Sequence, residues 1–196
     1  VRFNVGASRR EAGRRSNESL YPVELTKSFL IGETEITNAQ YRQFRPQHNS
    51  GPGLDGERQP AVSITWDEAA RFLNWLSKKE KLAPAYREVG KRMVAKMPLT
   101  SGYRLPTEAE WVYAARYVAG RRPASDPLKF PWGASMPPPK RSGNYADEMA
   151  ASIVPISIKG YSDGFRKSSP VATFSANAYG VYLSLIHISE PTRLSV

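Results

Sequence analysis

Apolar positions along this chain fall into short runs whose period changes from place to place. In "VELTKSFLIG", Val23, Leu25, Phe29 and Ile31 share one side of a period-two pattern broken only at Lys27, which predicts a strand. "AVSI", residues 61–64, predicts a second short strand.

Three segments open with the same start chemistry. Each has a Thr that can cap a first turn, followed three residues later by a Gln or Glu able to accept from the Thr backbone N–H. In "ITNAQYRQF" these are Thr37 and Gln40, with Ile36 and Tyr41 placed as a hydrophobic staple. In "ITWDEAARFLNWLSKK" they are Thr65 and Glu68. There Trp66, Ala69, Leu73 and Leu76 form one apolar stripe, and lysines sit at the end that suits the helix dipole. In "PTEAEWVYAARYV" they are Thr107 and Glu110, followed by Trp111, Ala114, Ala115 and Val118. Three helices are predicted.

Residues 81–102, "KLAPAYREVGKRMVAKMPLTSG", are weakly patterned at Tyr86, Val89 and Val94 and predict a loop-rich insertion with a short hairpin. The 16 prolines and 14 glycines punctuate the chain throughout, so elements should be short. Residues 121–140 are Pro-rich around "KFPWG". No internal repeat and no linker divides the chain, so residues 1–182 read as one domain.

Composition narrows the function classes. The 196 residues are 40% hydrophobic, yet no apolar run reaches the roughly 18 to 20 residues of a membrane span, so a soluble chain is expected. "VRFNVGASRR" has no signal-peptide core. The absence of cysteine rules out a disulfide framework, a thiolate metal site and a cysteine nucleophile, and it leaves the compartment open. The net charge of +10 is scattered in small groups: Arg9, Arg10, Arg14 and Arg15; Lys78, Lys79 and Lys81; Lys91 and Arg92; Arg121 and Arg122; Lys140 and Arg141; Arg166 and Lys167. Such scatter predicts a solvated basic surface rather than a specific nucleic-acid interface.

Two carboxylates in "GYRLPTEAEW", Glu108 and Glu110, raise the possibility of a general acid and base. Residues two apart on a helix point about 200° away from each other, so the two cannot serve one substrate atom. Glu110 is placed to complete the capping box with Thr107, and Glu108 to face the positive end of the helix dipole. His48 stands alone in "PQHNSGPG" and reads as a solvated loop histidine. Trp66, Trp75, Trp111 and Trp132 could form a sugar-binding platform, but three of them lie on the capped helices at core spacing, which favours packing.

"EITNAQYRQF", "PAVSITWDEAARFLNWLS", "GYRLPTEAEWVYAAR", "FPWG", "GNYADE", "YSDGF", "SPVATF" and "NAYGVY" occur in that order. Together, from Val5 to Tyr182, they resemble the formylglycine-generating enzyme family, also called sulfatase-modifying factors. The resemblance implies an irregular α+β fold related to C-type lectins, with little regular secondary structure. It also implies a family activity, oxidation of a sulfatase cysteine to formylglycine with copper and dioxygen, and hence a sulfatase peptide as protein partner.

Copper in that family is held by thiolates, the soft ligands copper(I) prefers. This chain has none, so no catalytic residue is assigned, and the chain is expected neither to bind copper nor to turn over. In the family, "NAYGVY" leads into an Asp-Met-like pair and a Gly-Asn-Val-Trp-Glu-Trp segment. Here it leads into "LSLIHISEPTRLSV", of which residues 183–193 resemble a translated transposase adapter used in sequencing libraries. The expectation is a domain incomplete at its C-terminus, with residues 183–196 an artefactual tail in which His187 and Glu190 have no role. Such a chain should expose apolar surface and behave as a loosened or aggregating state.

The resemblance further implies a structural Ca²⁺ site. Its matching positions are Asn144, Tyr145, Asp163 and Phe165, with Tyr145 and Phe165 contributing main-chain oxygens. These are the hard ligands Ca²⁺ takes, and Gly164 allows a tight turn around the ion. The alternative is an Asp-Gly turn and an Asn-containing loop with no metal. The family's sulfoxide synthases hold iron through several histidines, whereas this chain has 2. The insertion at 81–102 departs from the family pattern and supports a second possibility, a non-catalytic peptide- or glycan-binding or regulatory domain of a larger bacterial protein. Its location would be the bacterial cytoplasm or periplasm.

Overall fold

The computed structural model describes residues 1–7, 18–116, 130, 132–133 and 135–182. Its regular elements are β1 (Arg2–Val5), β2 (Tyr21–Glu24), α1 (Asn38–Arg42), α2 (Trp66–Lys79), β3 (Tyr86–Val89), β4 (Arg92–Ala95) and α3 (Glu108–Arg116). The fold is α+β with little regular secondary structure, and the strands form two antiparallel pairs, β1–β2 and β3–β4. Two compact units emerge, one formed by Ile36–Pro106 and the other by Val1–Glu35 together with the chain from Thr107 onward.

In the Ile36–Pro106 unit both expected capping boxes are present. Thr37 Oγ1 accepts from Gln40 N at 3.2 Å and Gln40 Oε1 accepts from Thr37 N at 2.8 Å. Thr65 and Glu68 repeat the exchange at 3.3 and 2.9 Å. Tyr41, Phe44, Phe72 and Trp75 form an aromatic cluster with ring centroids 5.2–6.0 Å apart. Such tilted and edge-on pairs contribute about 0.5–1.5 kcal/mol each beyond area burial.

The expected hairpin is β3–β4, turning at Gly90 and Lys91, and Gly90 supplies the positive φ of 61° that a tight turn of this kind requires. Asn74 clamps it to α2, donating to Tyr86 O at 3.0 Å and accepting from Tyr86 N at 3.1 Å. The strand expected at residues 61–64 does not form. Ser63 has φ 59°, which breaks extended backbone, and Val62 N spends its hydrogen on Ser50 Oγ at 3.0 Å rather than on a strand.

In the other unit Phe3 and Val5 point from β1 into a core with Val112, flanked by Val23, Leu25, Ala109, Trp111 and Tyr113. Each such buried side chain stabilises by about 1.5–3 kcal/mol. Phe3 pairs with Val23 and Val5 with Tyr21. Of the strand expected over residues 23–31, only Val23 and Glu24 lie in a strand, β2, whose last pair is Arg2 with Glu24; Leu25 N then donates to Val1 O at 2.8 Å. Leu30, on the predicted stretch, is fully exposed.

Trp75 and Trp111 pack half-buried as expected, whereas Trp66, expected at a core position, is exposed on one side. Trp75 lies in the aromatic cluster and Trp111 beside the β1 core, while Trp66 meets Tyr86 edge-on at 5.3 Å. Trp132 stacks on Phe130 at 4.9 Å and meets Tyr145 at 5.2 Å. No helix among the described residues is long and apolar enough to cross a membrane. Arg9, Arg10, Arg14, Arg15, Val118, Arg121, Arg122 and the 183–196 tail with His187 and Glu190 lie outside the described residues.

Candidate functional site

The carboxylates of "GYRLPTEAEW" resolve into helix-start chemistry. Glu110 Oε2 accepts from Thr107 N at 2.8 Å, and Thr107 Oγ1 accepts from Glu110 N at 3.2 Å. Glu110 is buried, whereas Glu108 is exposed and accepts from the Tyr21 hydroxyl at 3.2 Å. Toward the other end of α3, Asn177 Nδ2 donates at 2.6 Å to Ala114 O. The segment therefore builds the frame, as its spacing predicts.

A serine–histidine pair also exists, and hydrogen counting decides its role. Asn38 Nδ2 donates to Leu54 O and Gly56 O, so its Oδ1 faces Ser50, whose hydroxyl hydrogen goes to that oxygen at 2.6 Å. Ser50 Oγ also takes Val62 N at 3.0 Å, so His48 Nε2, 3.0 Å away, must be a donor to it. A base that donates to its serine cannot activate it. His48 is thus not the free solvated residue expected. It is half-buried, edge-on to Tyr41 at 4.7 Å, and locks the loop that α1 packs on.

The loops carrying "GNYADE" and "YSDGF" do converge. Asp163 Oδ2 accepts from Tyr145 N at 2.8 Å and from Asn144 Nδ2 at 3.1 Å, and Oδ1 accepts from Phe165 N at 2.7 Å. Gly164 stands at φ 86°, the left-handed conformation a side chain would resist. Tyr161 braces the first loop, donating to Gly143 O at 2.7 Å. All four expected positions are therefore brought together, with Asn144 turning its amide nitrogen toward Asp163 and its Oδ1 making no hydrogen bond among the described residues.

One residue here escaped the sequence analysis. Asp147 is fully buried, and its Oδ2 accepts from Asp163 N at 2.5 Å while Oδ1 accepts from Met149 N at 2.8 Å and Ala150 N at 3.2 Å. Its own N–H donates to Tyr145 O at 2.8 Å. The signal was the Asp in "GNYADE", three residues from a residue already singled out. Burial holds the Asp163 carboxyl above its ordinary range, offset in part by its N–H donors, and the nearby Asp147 charge pushes the same way.

The oxygens gathered on these loops, two carboxylates, Asn144 Oδ1 and the main-chain oxygens of Tyr145 and Phe165, are of the chemical type a hard cation takes. Among the described residues no group of three or more His, Cys, Asp or Glu is placed to hold a metal, so an ion here would rely on this carboxylate pair and neutral oxygens.

Residues 2–190 match the family model of the sulfatase-modifying factor enzyme 1-like domain. The chain belongs to this family. Its similarity to mouse formylglycine-generating enzyme is 29% identity over 139 residues, covering 69% of this chain and 28% of the mouse protein. The chaperone protein LppX of Paenibacillus barcinonensis is 35% identical over 101 residues, covering 44% of this chain and 35% of that protein. Among solved structures, Treponema denticola variable protein 1 superposes with TM-score 0.64 at 25% identity, over 93% of this chain and 66% of that one. The chain thus spans about a third of the length of the formylglycine-generating enzymes it matches, 28% of the mouse protein and 33% of the Thermomonospora curvata one.

Proposed function

We propose that this chain is the scaffold part of a formylglycine-generating-enzyme-like protein that oxidises a sulfatase cysteine to formylglycine with copper and dioxygen. The observation that carries this is the family match over nearly the whole chain, joined to similarity with proteins named formylglycine-generating enzyme. A thiolate-held copper centre does not fit the residues present, because the chain contains no cysteine. No step through copper is assigned to them. The chain alone should leave a cysteine-containing sulfatase peptide unchanged in the presence of copper and air, as read by mass spectrometry. Conversion of that peptide by the isolated chain would sink this proposal.

Ca²⁺ is the cation we assign to the Asp163 loops. Asp163, Asn144 and Asp147 would supply side-chain oxygens, and Tyr145 and Phe165 main-chain ones. The ion would supply charge compensation and loop rigidity, and these residues would contribute orientation rather than reaction chemistry.

A second reading is a non-catalytic peptide- or glycan-binding domain. The similarity to a protein named as a chaperone, LppX, favours it. Retention of a sulfatase or glycan on the immobilised chain, with no accompanying cysteine oxidation, would support it over the first.

A further inference from the structure

The Asp163 turn forms one wall of an open cleft of about 480 Å³, in the size range of small-molecule sites. Its floor is Pro138 and Tyr161, both buried. Phe165 and Phe174, half-buried, stand edge-on to each other with centroids 6.1 Å apart. Such rings offer both a face and an edge to a planar guest.

The rim is cationic. Arg141 sits at φ 64°, a costly conformation for a residue with a side chain, and two ties hold it there. Its Nη2 donates to Thr173 O at 3.0 Å, and its main-chain oxygen accepts from Ser175 N at 3.3 Å. The rest of the guanidinium fork has no partner among the described residues, and neither has the exposed Lys140 ammonium beside it. Asp163 is the one opposing charge in the lining. Both its oxygens already accept N–H groups, from Asn144, Tyr145 and Phe165, which offset part of its charge. Two cations against one internally bonded carboxylate leave the cleft favouring an anion.

We propose that this cleft binds a small aromatic anion, its ring against Phe165 and Phe174 and its sulfate, phosphate or carboxylate on Lys140 and Arg141. This stands on the cleft's own walls and holds whether or not the parent protein is an oxidase.

The test is calorimetric titration of the intact chain with phenyl phosphate, with phenyl sulfate and benzoate to rank the headgroups. Inorganic phosphate and phenol serve as the separate halves. A ligand of this size should bind with Kd on the order of 1 mM, with each half about tenfold weaker. Lys140→Gln removes an unpartnered exposed side chain without disturbing the fold and should weaken binding about threefold; Phe174→Ala should weaken it about tenfold. Arg141→Gln, checked for a native-like thermal transition, should act as strongly as Phe174→Ala. No saturable binding, inorganic phosphate binding as well as phenyl phosphate, or affinity unchanged in the Lys140→Gln/Arg141→Gln double variant would each overturn the proposal.

Discussion

Asp147 receives the backbone N–H of Asp163 at 2.5 Å while itself fully buried, so one carboxylate holds the other's main chain in place. Its remaining oxygen satisfies two further N–H groups, those of Met149 and Ala150. Truncation would strand two donors, the N–H groups of Asp163 and Met149, since Ala150 N also donates to the Asp147 main-chain oxygen at 3.2 Å; each unmet donor costs about 1–3 kcal/mol, with water entry recovering part of the loss. Asp147→Ala is therefore expected to destabilise the chain by about 3 kcal/mol in urea unfolding, and Asp147→Asn by less. A loss below about 0.5 kcal/mol, the level of an ordinary surface substitution, would show that Asp147 does not organise these loops.

The acid limb of stability should contain two opposed contributions. The Glu68 carboxyl is lowered to about 2, first by the Thr65 backbone N–H, then by the Thr65 hydroxyl and by Arg45. A lowered folded value means this stabilisation is complete above the ordinary 4.5 and disappears as pH falls toward about 2. Asp163 has the opposite sign: its raised value makes the folded state take up a proton more readily than the unfolded one. Its ionisation costs stability, which is regained as pH falls toward 3.8. Glu68→Gln should flatten the acid-induced decline, and Asp163→Asn should steepen it. Urea midpoints measured across this range would test both, and parallel curves for all three proteins would refute the assignment.

What could be seen in the sequence follows from the range of the interactions. The capping boxes at Thr37, Thr65 and Thr107 are exchanges between residues three apart, and all form. The turn at Gly90 is equally local. The run from Val23 to Ile31 has good strand periodicity, but a strand also needs a partner, and the paired part is Tyr21–Glu24 against β1. Pairing of Phe3 with Val23 depends on chain closure that no local pattern reports. Asp147 was passed over for the same reason, since its environment is set by the backbone of Asp163, sixteen residues away. His48 looked solitary because its partners Ser50 and Tyr41 matter by geometry rather than by spacing.

Gly102, which opens the "GYRLPTEAEW" segment, is required for space rather than for φ. A methyl group there would overlap the Ala83 carbonyl oxygen and crowd Ser77 Oγ. Ser77 is fully buried and its hydroxyl both donates to Leu73 O at 2.7 Å and accepts from Tyr103 N at 2.8 Å, so it cannot easily yield. Gly102→Ala should cost about 1–3 kcal/mol, the range for overpacking a filled site. Gly51→Ala, where no atom lies within 4 Å but φ is 96°, separates crowding from backbone strain. Equal midpoints for Gly102→Ala and the parent chain would show that the Ala83 segment can move away.

Calcium should act on stability before it acts on anything else. An ion that binds the folded loops and not the unfolded chain stabilises by about 2.7 kcal/mol at one hundred times its Kd. Charge relief adds to this, because Asp163 is ionised at a cost set first by burial and then by the Asp147 charge beside it. The thermal midpoint is therefore expected to rise with added Ca²⁺, return on chelation, and stay level in Asp163→Ala. Mg²⁺, which demands a tighter octahedral shell and gives up water reluctantly, should shift it far less. The two carboxylates make separable contributions: Asp147→Asn should keep a weakened calcium response, whereas Asp163→Ala should abolish it. A midpoint indifferent to Ca²⁺ in the parent chain would favour the metal-free Asp-Gly turn, in which the N–H groups of Tyr145 and Phe165 satisfy Asp163 without an ion.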